Sequence, residues 1–161
     1  MIFLFPKVVK HPSAYLFFFL FSSVALLNSA PDPQLNLPKT SLIIGTNILS
    51  AQIAADDASR ELGLMSRTNL NADEAMIFVF PKPRPVAFWM KNTPVPLSVA
   101  YVGNSGRIFE IHDLKPFDET IVPSTSSAVA YAIEVSQGWF IKHGVFAGDV
   151  VGGLPYQSIA K

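Results

Sequence analysis

The chain has 161 residues, a length that suits one domain because two domains would each be small for a self-sufficient core. Half of the residues are apolar and 15% are charged, which is a composition that excludes wholesale disorder. Twelve basic residues balance twelve acidic ones, so the overall charge gives no support to a nucleic-acid-binding surface. There is no cysteine, which excludes disulfides, thiolate metal sites and a cysteine nucleophile.

The N-terminal segment has the pattern of a secretory signal peptide. Two lysines within the first ten residues precede an apolar run over residues 14–27. That run is shorter than the roughly 20 residues of a spanning helix and fits the roughly 7–15 residues of a signal peptide. We predict a signal peptide over residues 1–30, cleaved after Ala25 or Ala30, and export to the periplasm. If the segment is not cleaved, it anchors the protein to the inner membrane, and it is the only predicted membrane contact.

The rest of the chain is predicted to form a single β domain over residues 40–154. Three prolines precede it and predict an extended Pro-rich linker over residues 31–39. Residues 155–161 are expected to be a tail.

The predicted elements of this domain are mostly short strands. In chain order the predicted strands are 41–44, 48–54, 76–80, 86–90, 97–102, 107–114, 129–135 and 149–151. The clear helix pattern lies after the second strand, where Asp56 is a candidate N-cap and Gly63 a candidate stop. A helical turn is predicted over 139–143, and residues 115–128 are expected to be a polar loop without regular elements. This pattern favours a compact β-barrel or jelly-roll-like sandwich with one or two short helices.

The first candidate site lies in residues 86–93. Along a strand, Val86, Phe88, Met90 and Asn92 share one face, and Ala87, Trp89, Lys91 and Thr93 share the other. A tryptophan beside a cation and a hydroxyl suits a small polar ligand such as a sugar. We therefore take Trp89, Lys91, Asn92 and Thr93 as candidate ligand-binding residues. The alternative is that Trp89 is a core residue and that the Lys91 stem merely extends past it.

The second candidate site is a carboxylate and an imidazole two residues apart. Glu110 and His112 point to the same side of a strand and could form an acid–base pair or supply two metal ligands. A catalytic zinc normally takes three protein ligands, and no third ligand has a matching spacing. His143, at a helix end, is better placed to complement the helix C-terminus. We therefore predict no metal and no cofactor.

The third candidate is Glu134, in the predicted strand over 129–135. Alternation places Glu134 opposite Ile133 and beside the small Ala132. The space above the carboxylate is either a pocket or solvent, and solvent is the commoner outcome for a sheet with one exposed face.

The sequence contains none of the standard catalytic motifs. It has no Gly-x-Ser-x-Gly, no phosphate-binding loop, no dinucleotide glycine pattern and no His-Glu-x-x-His. Catalytic residues therefore stay unknown.

Several runs of residues together resemble a known family. They are residues 60–65 (RELGLM), 76–80 (MIFVF), 88–93 (FWMKNT), 111–113 (IHD), 132–135 (AIEV) and 138–140 (GWF). In order and spacing they resemble the domain-of-unknown-function family 192, over roughly residues 40–151. The resemblance implies a compact, mainly β domain that is often exported in bacteria. It implies no established activity and brings no catalytic residue.

Three functions are consistent with these observations. The first is a non-catalytic binding or accessory module for a small polar ligand in the cell envelope. The second is a hydrolase that uses Glu110, His112 and Glu134. The third is a module whose exposed aromatic side chains bind another envelope protein. A cavity shared by Trp89 and Glu134 favours the first, a carboxylate beside His112 in a cavity favours the second, and a flat apolar patch favours the third.

Overall fold

The structure, a computed structural model, describes residues 29–155. Its elements in chain order are β1 (Lys39–Ile44), β2 (Asn47–Ala54), α1 (Asp57–Leu62), β3 (Glu74–Arg84), β4 (Ala87–Phe88), β5 (Leu97–Val102), β6 (Ile108–Leu114), β7 (Val122–Pro123), β8 (Val129–Ser136), α2 (Trp139–Lys142) and β9 (Val151–Gly152). The predicted mainly β fold with two short helices is confirmed. Among these residues, no helix is long and apolar enough to cross a membrane. The predicted signal peptide, up to residue 28, and the predicted tail after Pro155 lie outside the described residues.

Seven strands form one curled sheet. Their order is β6-β5-β8-β3-β2-β1-β9, and β2 pairs with β3 in parallel while the other neighbours are antiparallel. The two edge strands meet, because the N–H of Ile108 donates to the carbonyl O of Asp149 at 2.8 Å and the N–H of Val151 donates to that of Gly106 at 2.9 Å. Gly106 has a φ of +81°, and a Cβ there would lie 2.4 Å from the Val151 carbonyl O. The sheet therefore closes towards a barrel at a point where only glycine fits.

Apolar side chains cover both faces of this sheet. One core joins the two edge strands through Ile108 and Val151 and also contains Phe140 of α2, so it lies on the concave face. The other core contains Phe78 and Val99 and lies on the outer face. Because strand side chains alternate, neighbours such as Ile77 and Phe78 belong to opposite cores.

Helix α1 covers part of the outer face, and its ends are fixed by the residues that the sequence indicates. The Asp56 carboxylate accepts the N–H of Ser59 at 2.8 Å, and the Ser59 hydroxyl accepts the N–H of Asp56 at 3.2 Å. This reciprocal cap begins the helix. The helix ends at Gly63, whose φ is +50° and whose N–H donates to the Ser59 carbonyl O. The predicted N-cap and stop are confirmed.

The segment that we expected to be a linker also packs on the domain. The Gln34 amide donates to the carbonyl oxygens of Ser59 and Gly63 at 2.9 and 2.8 Å. The Gln52 amide donates to the carbonyl O of Leu35 at 2.7 Å. Gln34 is thus bound beside α1 and Leu35 beside β2, and Lys39 begins β1, so this segment packs on the domain at these points.

The predicted strand over 86–90 is wrong in extent. Only β4 is extended, and it pairs with β7, which itself lies inside the loop that we expected to lack elements. Beyond Met90 the chain turns at Asn92, whose φ is +53°, and the N–H of Thr93 donates to the carbonyl O of Met90. Asparagine tolerates this left-handed conformation better than most residues, which explains why the extended chain ends there.

Phe78 should be essential for stability because its ring is 2% exposed and meets the Phe88 ring edge-on at 4.9 Å. Phe78→Ala should lower the free energy of unfolding by about 3–5 kcal/mol, as for other large-to-small core changes, measured by urea denaturation. Phe117, which is 64% exposed, offers a matched control, and Phe117→Ala should cost less than about 0.5 kcal/mol. A loss below about 1 kcal/mol for Phe78→Ala would contradict this packing.

Candidate functional site

A cleft of about 310 Å³ opens on the outer face of the sheet. It lies between α1, β3 and the chain around β4. The side chains that define it are Arg60, Phe78, Arg84, Phe88, Trp89 and Glu134. Of the residues proposed from the sequence, Trp89, Thr93 and Glu134 line it, although they come from two distant parts of the chain.

Glu134 lines this cleft and is 4% exposed. It is paired across the sheet with Met76 on one side and Val99 on the other, both of which are fully buried apolar residues. No hydrogen bond or ion pair to its carboxyl group is present within residues 29–155. Burial raises the pKa of Glu134 to about 8, because a carboxylate loses its hydration in an apolar environment.

The expectation that solvent lies above Glu134 is therefore wrong. The outer face of the sheet is covered by α1 and by the chain from β4 to Val95, so it is not a half-exposed surface. The pocket alternative is the one that the geometry supports.

Trp89 forms the rim of the cleft and is 44% exposed. The Lys91 Nζ lies 5.3 Å from the centroid of the Trp89 ring, within the range of a cation–π contact. Lys91 itself does not line the cleft. The predicted pairing of this tryptophan with a lysine is present, but the lysine holds the ring from outside the cleft. The alternative of Trp89 as a core residue is wrong, because nearly half of its surface is open.

The other two residues of this group have different positions. Thr93 is buried and lines the cleft, and its hydroxyl donates to the carbonyl O of Lys91 at 3.1 Å. Asn92 lies in the turn, where its carbonyl O accepts the N–H of Ser66 at 2.8 Å. Asn92 therefore shapes the turn and does not line the cleft.

Glu110 and His112 form a pair at a different place. The His112 Nε2 lies 2.9 Å from the Glu110 Oε2. The Glu110 Oε1 accepts the N–H and the hydroxyl of Thr125 at 2.7 and 3.0 Å. Burial opposes ionisation of Glu110, but the hydrogen bonds from His112 and Thr125 outweigh it and lower its pKa. This carboxylate thus fastens the loop that contains Thr125.

The hydrolase alternative needs Glu134 together with this pair. Val99 of β5 is paired with Glu134 on one side and with His112 on the other, so their Cα atoms are about 10 Å apart, two strand spacings. Neither Glu110 nor His112 lines the cleft. Among residues 29–155 there is also no group of three or more His, Cys, Asp or Glu side chains that could hold a metal ion.

Sequence reasoning missed the residues that α1 and the end of β3 supply to the cleft. The Arg60 guanidinium donates to the carbonyl oxygens of Ala55 and Val79 and pairs with Asp57. It also lies 6.0 Å from the Phe80 ring. The run over 60–65 was noticed as a family motif, but only the folded chain brings it to Glu134.

Comparisons with known proteins agree with the fold. The model of the domain-of-unknown-function family 192, described as an uncharacterised ACR family, matches residues 41–153. A crystal structure of a candidate transcription regulator from Sinorhizobium meliloti 1021 is 33% identical, with a TM-score of 0.71, over 74% of this chain and 97% of that chain. A crystal structure of a protein of unknown function from Novosphingobium aromaticivorans DSM 12444 is 30% identical, with a TM-score of 0.70, over 78% of this chain and 93% of that chain. The comparison with curated proteins gives no match.

Glu134 should make the stability of the protein fall as the pH rises. Its pKa is about 8 in the folded chain against 4.5 ordinarily, so between these values the folded state holds a proton that the unfolded state releases. This stabilising contribution is complete below about pH 4.5 and is lost as the pH rises through about 8. A shift of this size corresponds to about 5 kcal/mol as an upper bound. Urea unfolding at a series of pH values measures it.

Glu134→Gln keeps the shape of the side chain and removes the ionisable group, so the slope between these pH values should flatten. Glu61→Gln changes an exposed carboxylate at the same cleft and should leave the slope as it is. An equal pH dependence in the unmodified protein and in Glu134→Gln would contradict the assignment.

Proposed function

The chain belongs to the domain-of-unknown-function family 192, and from this premise we propose that it is a non-catalytic binding module for a small polar ligand in the cell envelope. The observation that carries this proposal is the buried Glu134 carboxyl at the bottom of an open cleft, without a hydrogen-bonding partner in the described chain. A largely buried polar group normally has such a partner in the protein or in bound water. A bound ligand would supply the partner.

The walls of the cleft support the same proposal. Phe78 and Phe88 provide apolar surface and Trp89 provides a partly exposed ring at the rim. Small-molecule sites typically combine such walls with a few polar groups, in volumes of about 300–1,000 Å³. The cleft, at about 310 Å³, is at the small end of that range and suits a small ligand.

The two alternative functions have less support. Glu110 and His112 lie outside the cleft, and both Glu110 oxygens are already engaged by residues of the chain, so we do not propose a hydrolase. Exposed apolar side chains such as Phe146 and Val150 belong to a different part of the surface, and none of the described contacts indicates what would cover them.

The binding site can be tested with the protein purified in the form that the cell produces. Amide chemical shifts are recorded by NMR during titration with glucose, ethanolamine and benzylamine. We expect at least one probe to shift a cluster of residues around the cleft, including Gly63 and Trp89. Trp89→Ala should weaken that binding by about two- to thirteenfold, since a stacked aromatic contact contributes about 0.5–1.5 kcal/mol.

Phe117→Ala is the matched control, because it removes another exposed ring that does not line the cleft. It should leave binding unchanged. Shifts scattered over the whole surface, or equal losses in the two variants, would refute a ligand site in this cleft.

We further propose that the protein is exported and acts in the periplasm, or at the inner membrane if its N-terminal segment is retained. The proposal rests on the short apolar run over 14–27 after two lysines. Cell fractionation followed by intact-mass measurement decides it. A periplasmic species that lacks the first 25 or 30 residues is expected, and full-length protein in the cytosol would contradict export.

A further inference from the structure

We infer that the ligand of the cleft carries a protonated amine, which lies against the aromatic side chains of the cleft and donates its hydrogen bonds to the Glu134 carboxylate. This inference rests on the proposed function and adds the chemical class of the ligand. It is distinct from a sugar-type ligand, which would offer neutral hydroxyl groups to the same site.

The Glu134 carboxyl group has unmet hydrogen-bonding capacity. An ionised carboxylate only accepts hydrogen bonds and has room for about four. In residues 29–155 no donor reaches it, and its neighbours across the sheet, Met76 and Val99, have no donor to offer. An ammonium group has three N–H donors and a positive charge, so it satisfies both needs of a buried carboxylate. Charge-assisted hydrogen bonds of this kind are about twice as strong as neutral ones.

Aromatic side chains line the cleft that contains the Glu134 carboxyl group. The Phe78 and Phe88 rings meet at 83° with their centroids 4.9 Å apart, and the Trp89 ring is at the rim. The faces of aromatic rings are negative and attract cations. The Trp89 ring already contacts one ammonium group, that of Lys91, which does not line the cleft. An anionic ligand would meet both these faces and the Glu134 carboxylate.

The half-buried Arg60 lines the cleft but already has partners, which makes it less available to an anion. The Arg60 guanidinium is held by the carbonyl oxygens of Ala55 and Val79 and by the Asp57 carboxylate. Arg84 is exposed at the mouth of the cleft, where its charge is screened by water. Glu134 is therefore the buried acidic group of the cleft that has no partner in the described chain, whereas Arg60 is already paired.

The charged and titratable groups near Glu134 define what a pH experiment can report. They are Asp57, Arg60 and Glu61 on α1, Glu74 and Arg84 on β3, Tyr101 on β5, Glu110 and His112 on β6, and Lys91 in the turn after β4. Burial, together with the charges of Glu110 and Glu134, raises the pKa of Tyr101, so this phenol stays neutral. Glu110 has a lowered pKa and stays ionised at neutral pH. Glu134 is then the carboxyl group of the cleft that changes charge near pH 8.

This leads to a pH dependence of defined sign. Glu134 must lose its proton to pair with an ammonium group, so binding releases a proton and tightens as the pH rises. With a pKa of about 8, the ionised fraction increases on the order of twentyfold between about pH 6.5 and about pH 8.5. The dissociation constant for an amine that stays protonated should fall by the same order. A neutral ligand should show no such change.

The experiment compares three probes of the same shape that differ in charge: benzylamine, benzyl alcohol and benzoate. Dissociation constants are measured by NMR titration at about pH 6.5 and about pH 8.5, with the protein in the form that the cell produces. We expect benzylamine to bind more tightly than benzyl alcohol at the higher pH, and benzoate to bind least. Glu134→Gln should remove the preference for the amine and its pH dependence, while benzyl alcohol still binds. Glu61→Gln, at the same cleft, should keep both.

Three results would overturn the inference in different ways. If benzyl alcohol or glucose binds in the cleft as tightly as benzylamine at both pH values, the amine is wrong but the cleft stays a binding site. If no probe of any charge shifts the residues of the cleft, both the amine and the proposed function are wrong. Binding of benzylamine that survives Glu134→Gln unchanged would also overturn the inference, because the amine would then be held elsewhere.

Discussion

Burial of an acidic side chain among apolar neighbours is the constraint on which the site depends. Glu134 lies between Met76 and Val99 on the outer face of the sheet, and covering elements leave it 4% exposed. An ionised carboxylate in such surroundings loses hydration energy that its neighbours do not replace. The group therefore holds its proton at neutral pH, and a partner that binds the charged form must displace that proton, so its binding weakens as the pH falls. The cleft above it makes that exchange accessible to a ligand.

The covering of the outer face comes from parts of the chain that are far apart in sequence. Helix α1 lies on one side and the turn after β4 lies on the other. The segment before β1 contacts α1 through hydrogen bonds from the Gln34 amide. Two backbone hydrogen bonds join the turn to the neighbouring loop. The N–H of Met90 donates to the carbonyl O of Asp118, and the N–H of Phe117 donates to the carbonyl O of Thr93. The concave face has its own core. Rigid apolar packing on both faces holds the sheet while the cleft stays open between covering segments.

Local patterns in the sequence were sufficient to predict those parts of the fold that depend on residues close together in the chain. Strand alternation places Ile133 and Glu134 on opposite faces, and Asp56 and Gly63 indicate the two ends of α1 that the structure contains. The end of the extended chain at Asn92 was not predicted, because a left-handed residue is a local exception to the alternating pattern. The burial of Glu134 could not be predicted either. It depends on which distant segments cover the outer face, and alternation says only which way a side chain points.

The pKa of Glu134 can be measured directly by a ¹³C NMR titration of its carboxyl carbon. The resonance is assigned because it is absent from the spectrum of Glu134→Gln. We predict that the Glu134 carboxyl group titrates near pH 8, well above the ordinary value of 4.5, because burial disfavours the charged form. A midpoint in the ordinary range would contradict it, since the carboxyl group would then be hydrated or paired, and the cleft would lack the unpaired acid on which ligand binding depends.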